Sequence, residues 1–468
     1  MVLKECYLPG MHFLCGRAKK STAQRLKEQA ENLRGLSPGD WYGLFKDVIN
    51  VTAIGRKRVF DRATTFWAFF GQVLKGGTCR SATRDVQVAR HKKGLPEISS
   101  SDSAYCQARS RLDPAWLESL GEESVQRLAQ RKDKQWDWDG RRVLLVDGTS
   151  CQLPDTLKNQ ESYPQPSEQK AGCGHPVMQL VGLFDLANGA LLKWEKSPLH
   201  VSETGMFGNG IHGQLNPEDV IVADRAYGTY LNIALARSKG ADAVFRLHQA
   251  RKYKFPKGKD DMVIRWERPS MSSRPDYYME EEWEGLPESM EVRLVKVKVR
   301  IKGFRPTEFI LATTLMDASV EDLAMLYFRR WKIEVFFRDI KTTLGMELLK
   351  GKSPSIAEKE VAMHLLAYNL MRYLMQEASR LSEQPLEEMS FTGTRDSTEH
   401  WVGAIVLASS QKARNMAMDG LYRCIASDLL PIRPGRSEPR AVKRRPKGYQ
   451  LLTRPRKEMV VSPSRKRK

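Results

Sequence analysis

The chain has 468 residues, 41% of them hydrophobic, and its 76 Lys and Arg against 56 Asp and Glu leave a formal net charge of +20. That length accommodates roughly two to four domains with sizeable cores, and the charge excess points to a polyanionic partner, nucleic acid before a membrane surface. No run approaches the ~18 apolar residues of a membrane span, Met1–Lys20 lacks a secretory core and cleavage site, and the seven cysteines form no CxxC pair. Spanning, secreted, disulfide-built and zinc-built classes are therefore disfavoured, and a cytoplasmic protein with reduced cysteines is expected.

From about Thr22 to Leu128 the pattern is helical. Thr64 to Leu74 is apolar and aromatic, a buried helix broken by Gly76-Gly77. A basic helix is predicted from Ser81 to about Lys93, and a third from a Ser101 or Asp102 cap to Leu112. Helix, glycine turn and basic helix are compatible with a helix-turn-helix reader of DNA. Arg80, Arg84, Arg90, Lys92, Lys93, Arg109 and Arg111 would then touch phosphates; the bland alternative is a bundle with solvated cations. Deleting the region up to about Leu128 is expected to remove sequence-specific DNA binding while leaving the catalytic core folded. Arg131 to Gly140 reads as a charged linker in which Trp136 and Trp138 pack locally.

The periodicity then changes. Arg142–Val146 is a short apolar strand ending at Asp147-Gly148. Pro176–Phe184 and Ala190–Lys196 read as two strands joined by a turn, Ser202–His212 as a helix and Val220–Ala223 as a buried strand. Tyr230–Lys239 is helical and Ala243–Leu247 strand-like. Three strands, helix, strand, helix, strand is an α/β layout of the ribonuclease-H kind. Residues 248–306, rich in charge, Pro and aromatics, read as an inserted antiparallel β subdomain, after which Phe309–Leu315 rejoins the core. One long helix is predicted from Ser319 to Leu344 and a second from Ile356 to Met375. Ser382–Gly403 is polar and loop-like, and a basic tail follows Leu430.

Asp147 and Asp224 each close a buried strand, where open α/β sheets place their sites, although either alone suits a turn or cap equally well. Asp155, Asp185 and Asp219 compete but rank lower, since Asp185 lies in a turn signal and Asp219 precedes its strand. On the long helix, Arg330, Glu334 and Lys341 fall at about −60°, −20° and −40° from Tyr327, apart from the apolar face of Ile333, Phe336, Ile340 and Leu344. A carboxylate flanked by two cations and a phenol suits a metal ion beside a phosphate. Three acids from separate elements can hold two divalent ions about 3.5–4 Å apart, and oxygen ligands favour Mg²⁺ or Mn²⁺ over zinc.

Tyr327-x2-Arg330-x3-Glu334-x6-Lys341 resembles the YREK signature of DDE transposases of bacterial insertion sequences, in the insertion-sequence-four family. Val146-Asp147-Gly148-Thr149, Ala223-Asp224-Arg225-Ala226-Tyr227, Ala367-Tyr368-Asn369-Leu370 and Arg433-Pro434-Gly435-Arg436 share the likeness. The resemblance implies a ribonuclease-H-like core interrupted by the β insertion, with Asp147, Asp224 and Glu334 as the catalytic and metal-binding triad for two Mg²⁺, Mn²⁺ substituting. Tyr327, Arg330, Lys341 and Arg225 would hold phosphates near the cut, with Arg84, Arg90 and Arg109 in the N-terminal region and Arg444 and Arg445 in the tail contacting DNA. It also implies cut-and-paste chemistry at the terminal inverted repeats. Water frees a 3′-hydroxyl, which attacks the opposite strand to give a hairpin and, once reopened, attacks target DNA, in a synaptic homodimer. Some members stack an extruded base on an aromatic of the insertion; Trp266 and Trp283, with Tyr277 and Tyr278, are candidates, although each equally suits the insertion's core.

The expected organisation is thus a helical DNA-binding region at 1–135, a catalytic α/β core at 136–380 and a C-terminal region with a basic tail at 381–468, in a bacterial, nucleoid-associated protein without a membrane partner. The rival readings are a catalytically inactive DNA-binding repressor and a metal-dependent nuclease that does not transpose.

Overall fold

The computed structural model describes residues 3–4, 58–92, 94–300, 307–406, 408–431, 449, 451–455 and 458. Lys93, the helical pattern before residue 58 and the tail cations Arg433, Arg436, Arg440, Lys443, Arg444, Arg445 and Lys447 lie outside the described residues.

The architecture is mixed α/β around one nine-stranded sheet. Its strands are β1 (Leu3–Lys4), β2 (Val143–Gln152), β3 (Val177–Asp185), β4 (Leu191–Pro198), β5 (Val220–Ala223), β6 (Asp242–Arg246), β7 (Asp261–Glu267), β8 (Ser289–Arg300) and β9 (Thr307–Thr313). β2, β3 and β4 form an antiparallel meander, β5 runs parallel on the other edge of β2, and β6 runs parallel to β5. The short runs β5 and β6 are apolar because parallel strands are covered on both faces. On β2, Val143 and Leu145 enter one core while Leu144 and Val146 enter the other, as the period of two requires.

Two expectations are corrected here. β2 does not stop at Asp147: β5 ends at Ala223, but β3 stays in register as far as Gln152↔Val177 and carries the strand onward. Nor do the strands of the 248–306 insertion form a separate subdomain. β8 pairs with β9, which pairs with β6, so the insertion widens the central sheet and β7 hangs on the far edge of β8.

The first four described helices are α1 (Arg62–Leu74), α2 (Cys79–Lys92), α3 (Ser103–Ser110) and α4 (Pro114–Gln130). Asp61 caps α1 by accepting from Thr64 N at 2.7 Å, and Phe66, Phe69, Phe70 and Val73 supply its buried stripe. α5 (Leu157–Ser162), α6 (Glu203–Asn209), α7 (Tyr230–Ser238) and α8 (Glu280–Glu284) connect or cover strands. Apart from α5, which the sequence pattern does not predict between β2 and β3, the order β2, β3, β4, α6, β5, α7, β6 is the one expected from the sequence. After α9 (Val320–Arg329) and α10 (Lys332–Arg338) comes the 29-residue α11 (Pro354–Ser382), then α12 (Phe391–Val406) and α13 (Gln411–Ser427). No helix of the described residues is long and apolar enough to cross a membrane.

α11 is the hub. On one side Tyr368 Oη donates to Gly189 O at 2.7 Å, Asn369 bonds both Leu191 N and O, and Arg372 donates to Asn188 O, which clamps the β3–β4 turn. On the other it meets the N-terminal helices: Asn369 Nδ2 donates to Ser124 Oγ, Gln376 to Leu128 O, Lys359 to Ser110 O, and Arg131 pairs with Glu377 at 2.9 Å. The helical region before residue 135 is therefore built into the body of the protein, contrary to its expected separability. Deleting it would strip a face from α11. Of the Ser382–Gly403 stretch expected as a loop, the part from Phe391 onward is helix. Ser390 Oγ accepts from Gly393 N at its start, and the buried Thr394 and Thr398 return their hydroxyls to carbonyls four residues back.

Candidate active site

The site forms where β5 ends beside β2. Val146 faces Ala223 in the last rung of the parallel ladder, so Asp147, still within β2, and Asp224, one residue past the end of β5, follow it side by side. Asp147 Oδ1 accepts from Gly148 N at 2.9 Å, and Asp224 Oδ1 accepts from Ala226 N at 2.8 Å. Burial pushes the Asp147 carboxyl up to about 6; Gly148 N–H and Arg330 pull it back, while Asp224 and Glu203 push it further.

The third acid arrives on a broken helix. Where one helix from Ser319 to Leu344 was expected, α9 ends at Arg329, Arg330 and Trp331 form a turn, α10 runs over Lys332–Arg338, and Asp339–Thr343 is a π-helical turn. At the break, Arg330 N and Trp331 N donate to the carbonyls of Tyr327 and Phe328, three residues back. The stripe survives in its first part. Arg330 Nη2 reaches Glu334 Oε1 at 3.1 Å and its Nη1 reaches Asp147 Oδ2 at 3.5 Å, so one guanidinium links the strand acid to the helix acid. Tyr327 is 7% exposed, lies against Phe309, and has the Arg330 guanidinium 6.0 Å from its ring centre. It supports Arg330 from below and is too covered to offer a face to DNA. Lys341, half-buried, sits across the π turn, and its charge is felt at Cys151 further along β2.

Glu203 is the acid the sequence reading missed. It opens α6, its Oε1 accepts from Gln179 Nε2 at 3.1 Å, and a Cβ on residue 148 would lie 2.1 Å from that same oxygen. Burial and the charge of Asp224 raise its pKa. Tyr227, fully buried, carries a hydroxyl raised well above the usual range by burial and then by Glu203, Asp147 and Asp224. Tyr227 belonged to a motif quoted above; Glu203 had no spacing to flag it, because its neighbour is on a strand far away in sequence. Among the described residues no three His, Cys, Asp or Glu side chains are grouped so that they could hold a metal ion.

The remaining candidates divide. Arg84 and Arg225 are exposed, and Arg90 donates to Pro96 O at 3.1 Å. Arg109 is corrected: it is 6% exposed, donates to Gln72 Oε1 and stacks 4.7 Å over Phe69, which makes it a core residue. Trp266 and Trp283 are corrected too. Both are buried, Trp266 against Tyr230 with Arg251 over its ring, Trp283 against Tyr278, so neither has a free face for a base. The competing acids are structural: Asp185 pairs with Lys132, Asp219 with Arg142, and Asp155 accepts from Gln160.

Residues 138–370 match the family described as "Transposase DDE domain". The transposase InsG of insertion sequence element IS4 from Escherichia coli (strain K12) is 26% identical over 77% of this chain and 80% of its own length. The putative transposase InsZ of the same organism is 32% identical over 22% of this chain and 34% of its own. Among solved structures, a piggyBac transposase synaptic complex with hairpin DNA aligns over 87% of this chain and 84% of that one, at 10% identity and a TM-score of 0.42.

Proposed function

Because the chain belongs to the DDE transposases of the insertion-sequence-four family, we propose that it binds the terminal inverted repeats of its own element and cuts and joins DNA there, with Asp147, Asp224 and Glu334 as the catalytic acids of a ribonuclease-H-like core. The observation that carries this reading is the junction itself: the register sets Asp147 beside Asp224, and Arg330 ties Asp147 to Glu334.

The donor set fits divalent metal ions. All the donors are carboxylate oxygens, as Mg²⁺ and Mn²⁺ prefer, and burial, with a smaller push from Asp224 and Glu203, raises the Asp147 carboxyl despite Arg330 beside it. Asp147, Asp224 and Glu334 would hold the ions, which when bound supply Lewis-acid stabilisation of the oxygens gained and lost at phosphorus. The chain's own groups do the rest. Arg330, cationic and with its ring support from Tyr327, is placed to exchange a carboxylate for a DNA phosphate, and Lys341 and the exposed Arg225 extend the same positive rim. Trp331, 47% exposed beside Arg330, replaces the buried tryptophans of the insertion as the aromatic with a face open to a displaced base. The reaction runs through hairpin ends in a synaptic homodimer, as the family resemblance implies.

The test incubates the full chain with Mg²⁺ and a duplex carrying a candidate terminal repeat and resolves nicks and hairpins on a denaturing gel. Asp147→Asn, Asp224→Asn and Glu334→Gln should each abolish cleavage and keep end binding. Cleavage at the wild-type rate in all three would overturn the assignment.

A further inference from the structure

Alternation along β2 turns Asp147 to the face of Val143 and Leu145 and residue 148 to the face of Leu144 and Val146. Residue 148 is a glycine, and the Glu203 carboxylate occupies the space its side chain would fill. The missing Cβ is thus a gap in the strand through which an acid from the opposite face comes up beside Asp147.

What surrounds Glu203 is unfinished. Gln179 gives it one hydrogen bond, yet the Oε1 of Gln179 is buried with no partner. The Tyr227 hydroxyl, fully buried and within the field of Glu203, Asp147 and Asp224, has no hydrogen-bond partner either. No cation pairs with Glu203 among the described residues, and the nearby guanidinium of Arg330 is taken by Asp147 and Glu334. Buried polar groups without partners are rare. Two of them beside three carboxylates mark a place for a cation and its water, which supply both positive charge and donors.

We propose that Glu203 is a fourth carboxylate of the catalytic centre, reaching Asp147 and Asp224 through the gap at Gly148 and helping to hold the divalent ion, with Tyr227 and Gln179 as its polar companions. This rests on the DDE reading of Asp147 and Asp224. The competing role for Glu203 is to anchor α6 to β3 through Gln179.

The experiment titrates Mn²⁺ alone into the full-length, DNA-free protein by calorimetry and follows melting with and without the ion. Glu203→Gln keeps the shape and the Gln179 contact, so it should weaken Mn²⁺ binding about tenfold, the size expected for an acid supporting a metal site, while metal-free melting is unchanged or higher. Gly148→Ala, which must push the Glu203 carboxylate away, should weaken Mn²⁺ binding similarly. Asp147→Asn and Asp224→Asn serve as references. If they lose Mn²⁺ binding while Glu203→Gln stays within about twofold of wild type, this inference falls and the DDE site stands. If the two aspartate variants also bind as wild type does, the DDE site falls, and Glu203 with it. Lower metal-free melting of Glu203→Ala, which removes the Gln179 contact, with Mn²⁺ affinity undiminished in Glu203→Gln, would establish the anchoring role instead.

Discussion

Asp185 and Asp147 lie on the neighbouring strands β3 and β2 and are used in opposite ways. Asp185 is 4% exposed and fully matched: Lys132 Nζ donates at 3.0 Å, Ala187 N at 2.8 Å, and Lys132 also serves Asp137. Asp219 is matched in the same manner by two bonds from Arg142, at 2.8 and 2.5 Å. Around Asp147 the count goes the other way. Arg330 divides its guanidinium between Glu334 and Asp147, its contact with Asp147 is 3.5 Å long, and Asp224 and Glu203 make no ion pair among the described residues. The lesson is electrostatic: acids that hold the fold each have a cation within 3.0 Å, while Asp147 has only the longer contact to Arg330 and Asp224 and Glu203 have no ion pair among the described residues.

Replacing the two kinds of acid should separate them. Asp224→Asn is expected to reduce strand cleavage on the order of 10³-fold or more while metal-free stability holds or rises, because the change removes repulsion. Asp185→Ala should leave chemistry per folded molecule intact but destabilise by roughly 1–3 kcal/mol, since it takes one of two acids from the largely buried Lys132 and the acceptor from Ala187 N. Denaturant melts alongside single-turnover cleavage measure both. Equal stability losses in the two variants would erase the distinction.

The same contrast divides the arginines. Arg109→Ala should lower stability by about 2 kcal/mol, because the guanidinium packs on Phe69 and answers Gln72. Arg84→Ala, on the exposed side of α2, should change stability by less than about 0.5 kcal/mol and lower the salt dependence of DNA binding by roughly one phosphate contact. Melts and binding isotherms at several salt concentrations check the pair. A larger DNA-binding defect from Arg109→Ala at matched folded fraction would reverse the assignment.

Much of this was legible in the residues. Apolar runs ending in Asp147 and Asp224 located both aspartates, because buried strands carry a local signal, and helical spacing put Arg330 and Glu334 on one stripe, where they meet at 3.1 Å. What stayed hidden depends on long-range pairing. The continuation of β2 to Gln152 is set by β3, the insertion's strands are recruited by β9, and the helix break at Arg330 follows no proline or glycine. Trp266, Trp283 and Arg109 carried the right chemistry in the wrong place, since a residue type does not say which face of its element the core will cover. Glu203 escaped for the complementary reason: only the fold brings it to Gly148.

The smallest effect follows from the sign of the Asp147 shift. Burial raises its pKa to about 6 from the usual carboxylate range, so the folded state holds this proton more tightly than the unfolded chain does. A raised pKa contributes stability that is complete below the unfolded value near pH 4 and is lost as pH rises through about 6. In chelator, wild-type stability should therefore carry a decline of roughly 1–2 kcal/mol between about pH 4 and pH 6 that Asp147→Asn lacks. The two proteins should differ most above pH ~6, with the Asn variant the more stable, and least at the acid end of the window. The other buried acids are common to both proteins, so the difference between the two curves reports Asp147 together with its coupling to Asp224 and Glu203. Superimposable curves would mean that Asp147 does not bear the excess charge, and the contrast with Asp185 would lose its basis.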